Sequence, residues 1–324
     1  KKVKTLSLLL ALVMLLSVFS PSCFAAANKK EPPISMSVNE DGKLNISRRD
    51  IGSTPMGDED TWTIFVYICG ANLESEGGCA TDNIIAMQEG ENPENCRFIV
   101  QTGGSYEWQN SMMQAGEIGR YEICDGYTYE LAHLPDADMS DRNTLIDFLE
   151  WGVENYPAEK MGLILWNHGG GSISGVCFDE VYDDGSISLN DLNIALDTVS
   201  EKMTDKFEFI GFDACLMATL EAANILATYA RYMYASEEVE PGCGWNYLSI
   251  SEALAENPGI NGAALGEVLI SGYYDLCVEC GASKYITFSI IDLSLIDDVL
   301  IAFNDYCKDL YEATGNNEAF VSVT

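Results

Sequence analysis

Apolar residues along this chain fall into short unbroken blocks separated by amphipathic stretches. TWTIFVYIC (61–69) and MGLILW (161–166) are apolar at both odd and even positions, and FEFIGF (207–212) nearly so. A strand that is apolar on both faces is covered on both faces, the signature of a parallel sheet between helices. CRFIVQT (96–102), RYMYAS (231–236) and YITFSII (285–291) read as further strands. Between them the period changes. Leu145, Phe148, Leu149 and Val153 recur at helical spacing in a segment that Ser140 can cap and that runs to about Tyr156. Helices are also expected near 82–88, 190–203, 216–230, 263–280 and 293–310. Strands alternating with helices predict an α/β fold, a three-layer α/β/α sandwich with a mostly parallel central sheet. Residues 105–134, rich in Tyr, Glu and Gly, read as a hairpin excursion outside the core. Residues 28–58 are polar and loop-like, a linker or pro-segment, and 59–324 reads as one domain.

The ends of the chain modify this outline. Residues 1–27 open with KKVKTLSLLLALVMLLSVF, a basic start and an apolar run that then meets small residues, which reads as a secretory signal peptide cleaved near Ala25 or Ala27. Cys23 raises a lipid-anchored alternative, but Ser20-Pro21-Ser22 before it is a poor context for attachment. A secreted, extracellular protein is expected. Phe320-Val321-Ser322-Val323-Thr324 resembles the start of another strand, so the natural protein is expected to continue.

The formal charge of −34 excludes nucleic acid and anionic lipid as partners and suits basic peptides or divalent cations. No stable membrane partner is expected, and the chain reads as a monomer. Eleven cysteines first suggest disulfides, but Cys69, Cys215 and Cys124 fall in or beside strand patterns, where thiols act as small hydrophobes. Cys277-x-x-Cys280 stands apart as a redox or metal pair. With no second CxxC and only two histidines, a structural zinc site is not expected.

Two strand ends carry the candidate chemistry. LILWNHGGG stops at His168, and FEFIGFDAC stops at Cys215. Functional groups in open α/β sheets collect at the carboxyl ends of strands. A thiol needs a base to become a nucleophile, and imidazole is the usual one. The helix expected directly after Cys215 would favour its thiolate through the helix dipole. Backbone N–H groups at Gly169 and Cys215 are candidate oxyanion donors. The competing reading is a buried structural cysteine beside a satisfied histidine. HGGG also occurs in α/β-hydrolases, but there is no G-x-S-x-G elbow, and both His133 and His168 precede Cys215, the wrong order for that fold. Neither a Walker A nor a G-x-G-x-x-G motif is present.

Four segments in order, VYICGANLESEGGCATDNI (66–84), LILWNHGGG (163–171), GFDACLMATLEAA (211–223) and ASEEVEPGCGWNY (235–247), resemble the clostripain family of caspase-like (clan CD) cysteine peptidases. The resemblance covers about 62–292. It implies the caspase-like sandwich, His168 as general base, Cys215 as nucleophile and endopeptidase cleavage after Arg or Lys. It requires no third orienting residue. Asp213 matches the acid associated with the S1 pocket, where a carboxylate would pair with a guanidinium or ammonium group; its alternative role is to cap the following helix. EPGCGW is the place to seek a second S1 acid, but Cys243 stands between its glycines, so a pocket with one acid instead of two is expected, which should hold Arg or Lys less tightly. Family members often mature by self-cleavage after a basic residue between His and Cys. Here only Lys202 and Lys206 qualify, so two-chain processing is expected to be absent or to occur there.

No cofactor is required by this reading, although clostripain-like enzymes can depend on calcium. Asp179, Glu180, Asp183 and Asp184 are the candidate oxygen donors, with a solvated acidic loop as the competing account. Glu237 and Glu238 could line the cleft, Trp245 a pocket wall, and His133 reads as a surface residue. The rival from another class is a non-catalytic secreted binding protein on the same scaffold.

Overall fold

A computed structural model describes residues 32–90 and 92–314. The predicted signal peptide, Cys23 and the strand start at 320–324 lie outside them. The strands among the described residues are β1 (Ile34–Val38), β2 (Leu44–Arg48), β3 (Trp62–Cys69), β4 (Cys96–Gly103), β5 (Glu117–Cys124), β6 (Tyr127–Pro135), β7 (Lys160–Trp166), β8 (Val176–Asp179), β9 (Gly185–Ile187), β10 (Phe207–Asp213), β11 (Ala230–Ala235) and β12 (Ser289–Asp292). The helices are α1 (Ala71–Ser75), α2 (Cys79–Glu89), α3 (Arg142–Asn155), α4 (Gly171–Ser174), α5 (Leu189–Val199), α6 (Leu220–Leu226), α7 (Tyr247–Glu256), α8 (Gly262–Glu279) and α9 (Ile296–Thr314).

Eight strands form the main sheet in the order β12-β11-β10-β7-β3-β4-β5-β6. The five from β11 to β4 are parallel, β12 and β5 run antiparallel to them, and β6 pairs antiparallel with β5. Alternation along β3 splits the core into two. Phe65 and Tyr67 face the layer of α3, α5 and α6, with Phe148, Leu192 and Leu226. Ile64, Val66 and Ile68 face the layer of α2, α7 and α8, with Ile84, Ile250 and Leu269. This is the predicted three-layer sandwich. Each of these side chains, buried completely, is worth about 1.5–3 kcal/mol, so the central strands are its most strongly fixed part.

The structure corrects the outline in four places. Residues 105–134 are not an excursion, because β5 and β6 extend the central sheet and bury Ile118, Tyr121 and Ile123. Within 28–58, β1 and β2 form a hairpin whose Met36, Leu44 and Ile46 pack on the core. Arg48 fastens it, donating to Asp297 Oδ1 at 2.6 Å and to the Asn224 carbonyl at 2.6 Å. The cap of α3 is Asp141, which accepts from the Asn143 N–H at 2.8 Å; Ser140 bonds Asp138 instead. The helix expected from 216 begins only at Leu220, with Thr219 as its cap.

Candidate active site

The carboxyl ends of four adjacent parallel strands, β3, β7, β10 and β11, deliver all the residues that matter. Asn167, buried at the end of β7, ties that end to its neighbours: its Nδ2 donates to the Cys69 carbonyl at 2.6 Å, and its Oδ1 accepts from the Phe178 N–H at 2.7 Å. His168 follows at once, half-buried. Its Nε2 lies 2.7 Å from Asn72 Oδ1. An amide oxygen only accepts, so Nε2 carries the proton and Nδ1 presents the basic lone pair. Burial lowers the His168 pKa below its ordinary 6.5, and Asp184 opposes that shift. A cleft of about 430 Å³ opens beside the ring, lined by Asn72, His168, Gly169, Phe178, Glu180 and Asp184.

Cys215 sits two residues past the end of β10, half-buried. The loops of His168 and Cys215 are in direct contact, because a Cβ on Gly169 would collide with the Cys215 carbonyl. Only glycine permits that approach. The amides of Gly169 and Cys215 make no hydrogen bond among the described residues, which leaves both N–H groups free for an oxyanion. Leu216 has φ +66°, a strained conformation that turns the chain sharply after Cys215. Because α6 starts at Leu220, Cys215 is not in its first turn, and the expected dipole contribution to the thiolate has no geometric basis. The stronger local contact is the Glu240 N–H, which donates to Cys215 Sγ at 3.3 Å.

Asp213 is no helix cap. Its side chain is buried, and Oδ2 accepts from Tyr247 Oη at 2.8 Å and from the Trp245 N–H at 3.4 Å. Beside it, in side-chain contact with Asp213, lies the carboxyl of Glu240, whose Oε2 accepts from Trp245 Nε1 at 3.2 Å. Two carboxylates this close cannot both ionise freely. Desolvation pushes Asp213 up to about 6, and desolvation plus the Asp213 charge push Glu240 well above the usual carboxylate range. Glu240, the first residue of EPGCGW, thus places a second carboxyl beside Asp213, where Cys243 had led to the expectation of one acid alone.

Other candidates sit apart from this cluster. His133 lies on β6, half-buried against Glu117 and Glu130. Glu237 and Glu238 are exposed, and Glu237 Oε1 accepts from Ser289 Oγ at 2.6 Å. Trp245 is fully buried against Gly211, as core and as the donor that holds Glu240. Lys202 pairs with Glu154 at 2.5 Å, and the half-buried Lys206 Nζ donates to the Ala227 carbonyl at 2.8 Å. The proposed calcium donors do not converge. Asp179 spends its oxygens on the N–H groups of Met139, Val181 and Tyr182, and Glu180 accepts from the Tyr106 N–H at 2.8 Å. Asp183 and Asp184 are turn residues with φ +56° and +54°. Among the described residues no group of three or more His, Cys, Asp or Glu is disposed to hold a metal ion.

Asn72 and Glu240 are the two contributors that sequence reasoning passed over. Both lie within quoted motif segments, but nothing in one dimension marks which of the neighbouring polar residues turns inward.

The family model of the clostripain family matches residues 66–323. Clostripain from Hathewaya histolytica is 26% identical over an alignment of 231 residues that covers 60% of this chain and 43% of that protein; the chain thus spans less than half the length of this curated relative. Among solved structures, a secreted C11 cysteine protease from Bacteroides thetaiotaomicron in complex with an irreversible peptide inhibitor superposes with a TM-score of 0.58 at 22% identity, covering 73% of this chain and 67% of that one. An inactive zymogen C11 protease from Parabacteroides distasonis gives 0.56 at 21% identity, covering 73% and 63%. Both establish the caspase-like sandwich.

Proposed function

The chain belongs to the clostripain family, and on that premise we propose that it is an extracellular cysteine endopeptidase that cleaves after Arg or Lys. One observation carries the reading: the His168 and Cys215 loops, distant in sequence, pack backbone to backbone at the end of the sheet. His168 Nδ1 takes the Cys215 proton, and Sγ forms a bond to the scissile carbonyl carbon. The oxygen, now negative, accepts from the Gly169 and Cys215 N–H groups. His168 then gives its proton to the leaving amine as the C–N bond breaks, leaving a thioester. Water attacks the thioester with His168 as base, and Cys215 is released. Asn72 keeps the imidazole in the Nε2–H tautomer throughout.

The Asp213–Glu240 pair supports the basic P1 preference. Buried carboxyls that share a proton offer a charge-assisted site to a guanidinium or ammonium group, which on entry displaces that proton. Secretion rests on residues 1–27, and no described helix is long and apolar enough to cross a membrane. The test is cleavage of fluorogenic peptides ending in Arg, Lys, Asp, Asn or Leu, with reductant, beside Cys215→Ala. Cleavage after Arg or Lys that vanishes in the variant is expected. Cleavage only after other residues would remove Asp213 and Glu240 from the P1 site. A folded but inert protein would favour the binding-protein alternative.

A further inference from the structure

Three thiols meet behind the loop that carries Glu240. Cys243 is half-buried in that loop, Cys277 is buried on the last turn of α8, and Cys280 caps the helix, exposed. The Cys243 side chain lies beside Cys277 and Cys280, and it packs on the apolar cluster that contains Cys277. The CxxC pair and the loop cysteine, far apart in sequence, thus form one sulfur cluster at the edge of the carboxyl pair.

We propose that Cys243 and Cys280 are a redox-active dithiol that closes to a disulfide and locks the 240–245 loop over Asp213 and Glu240. The consequence for substrates rests on the reading of that pair as the P1 site. As the exposed member, Cys280 meets the oxidant, a small-molecule disulfide. The Cys280 thiolate bonds to one sulfur of that disulfide, whose S–S bond breaks and releases one thiol. Cys243 then attacks the Cys280 sulfur and expels the second thiol. Two protein thiols are oxidised, one external disulfide is reduced, and the leaving thiolates take up the two protons. Burial and contacts with the neighbouring sulfurs push the Cys243 thiol up, so it keeps its proton while the cluster is reduced.

The lock matters because the carboxyl pair is covered. Gly244, at φ +61°, runs so close to Asp213 that a Cβ there would stand 3.4 Å from both carboxylate oxygens. Trp245 is fully buried beside it. A guanidinium reaches the pair only if this part of the loop moves. Pro241, Gly242 and Cys243 form its partly exposed tip, and the Gly244 N–H donates to the Pro241 carbonyl at 3.0 Å. A bond from Cys243 to the end of α8, which Leu269, Tyr273 and Cys277 anchor in the core, removes that movement, and reduction restores it.

The experiment equilibrates the purified protein with glutathione at graded ratios of disulfide to thiol. Alkylation and peptide mass spectrometry should find Cys243 joined to Cys280 at the oxidising end. Absence of that linkage, or a Cys277–Cys280 bond instead, overturns the proposal. Hydrogen exchange of amides 240–245 should slow on oxidation in the wild type and not in Cys280→Ser; equal behaviour in both overturns the lock. The KM for an Arg peptide should rise about tenfold on oxidation, with no rise in Cys280→Ser. Any loss of kcat shared by both proteins belongs to oxidation of Cys215, and a KM rise shared by both overturns the lock. If no peptide is cleaved, the P1 reading fails while linkage and exchange still decide the dithiol.

Discussion

The loop after β7 and the loop after β11 arrive at the same edge of the sheet and solve opposite problems. The first, His168 to Gly171, is short and held by its own backbone: the Cys177 N–H donates to the His168 carbonyl at 3.3 Å, and the Gly170 N–H to the Gly175 carbonyl at 2.8 Å. It presents a half-buried imidazole to an open cleft. The second loop, Ser236 to Trp245, brings Glu240 against the already buried Asp213 and covers both. Chemistry requires a base that is accessible and correctly oriented, so the first region is rigid and open. On the proposed reading the second receives a cation, and buried acids, whose desolvation raises their affinity for an opposite charge, suit that role. Reactivity and selectivity should therefore fail separately when each region is altered.

The largest separation is expected between Cys215→Ala and Asp213→Asn. The first should reduce cleavage of every peptide to background, and His168→Ala should cost about 100- to 10,000-fold, both read as kcat on a folded protein. Asp213→Asn should cost about 1.5–3 kcal/mol on Arg and Lys peptides only, read as kcat/KM against a neutral peptide. Glu240→Gln should act in the same direction and less than additively, because the two acids share one proton. An equal loss on neutral peptides would join the two regions that the structure keeps apart.

Asn72 tests the first region from its rim. Asn72→Ala leaves Cys215 and the carboxyl pair untouched and frees the imidazole to choose its tautomer. Residues that orient a catalytic imidazole in this way are worth about tenfold or more. The loss should fall on kcat for basic and neutral peptides alike, with the pH profile displaced, and Asn72→Gln should recover part of it. A loss in KM alone would place Asn72 in substrate binding instead.

How much of this was legible in the sequence follows the same division. β3, β7 and β10 are almost continuous apolar runs, because a strand buried on both faces has little room for polar residues, and so the strand ends and with them His168 and Cys215 could be read directly. β5 and β6 were legible as a hairpin but not as part of the central sheet: an antiparallel edge has one wet face, and in β6 Tyr127 and Tyr129 are exposed. The hairpin β1–β2 was missed because its anchor, Arg48, finds its partners on α6 and α9, far along the chain. Glu240 was illegible for a related reason. A buried acid is recognised by its neighbour, and Asp213 becomes that neighbour only when β10 and β11 lie side by side. The helix after Cys215 was placed too early, because Leu216 to Thr219 have helical composition but must instead turn the chain at φ +66° and deliver the Leu216 and Ala218 N–H groups to the carbonyls of Glu238 and Ser236, at 3.1 and 2.9 Å.

The smallest effect is thermodynamic and isolates the second region in the absence of any substrate. Asp213 has an ordinary pKa of 3.8 in an unfolded chain and about 6 in the fold. The fold thus favours the protonated form, and the sign follows: this contribution to stability is complete below 3.8 and is lost as the pH rises through about 6. Glu240, raised by the same burial, works in the same direction. The melting temperature of the free protein should fall between about pH 5 and pH 7 by more than that of Asp213→Asn with Glu240→Gln, which carries amides in place of the titrating pair. A small guanidinium ligand should reverse the trend, since it binds the ionised pair and stabilises the fold in proportion to its occupancy. Identical pH slopes for the two proteins would mean that the carboxyls are solvated in solution, and the contrast between an open reactive loop and a sealed acidic one would then be lost.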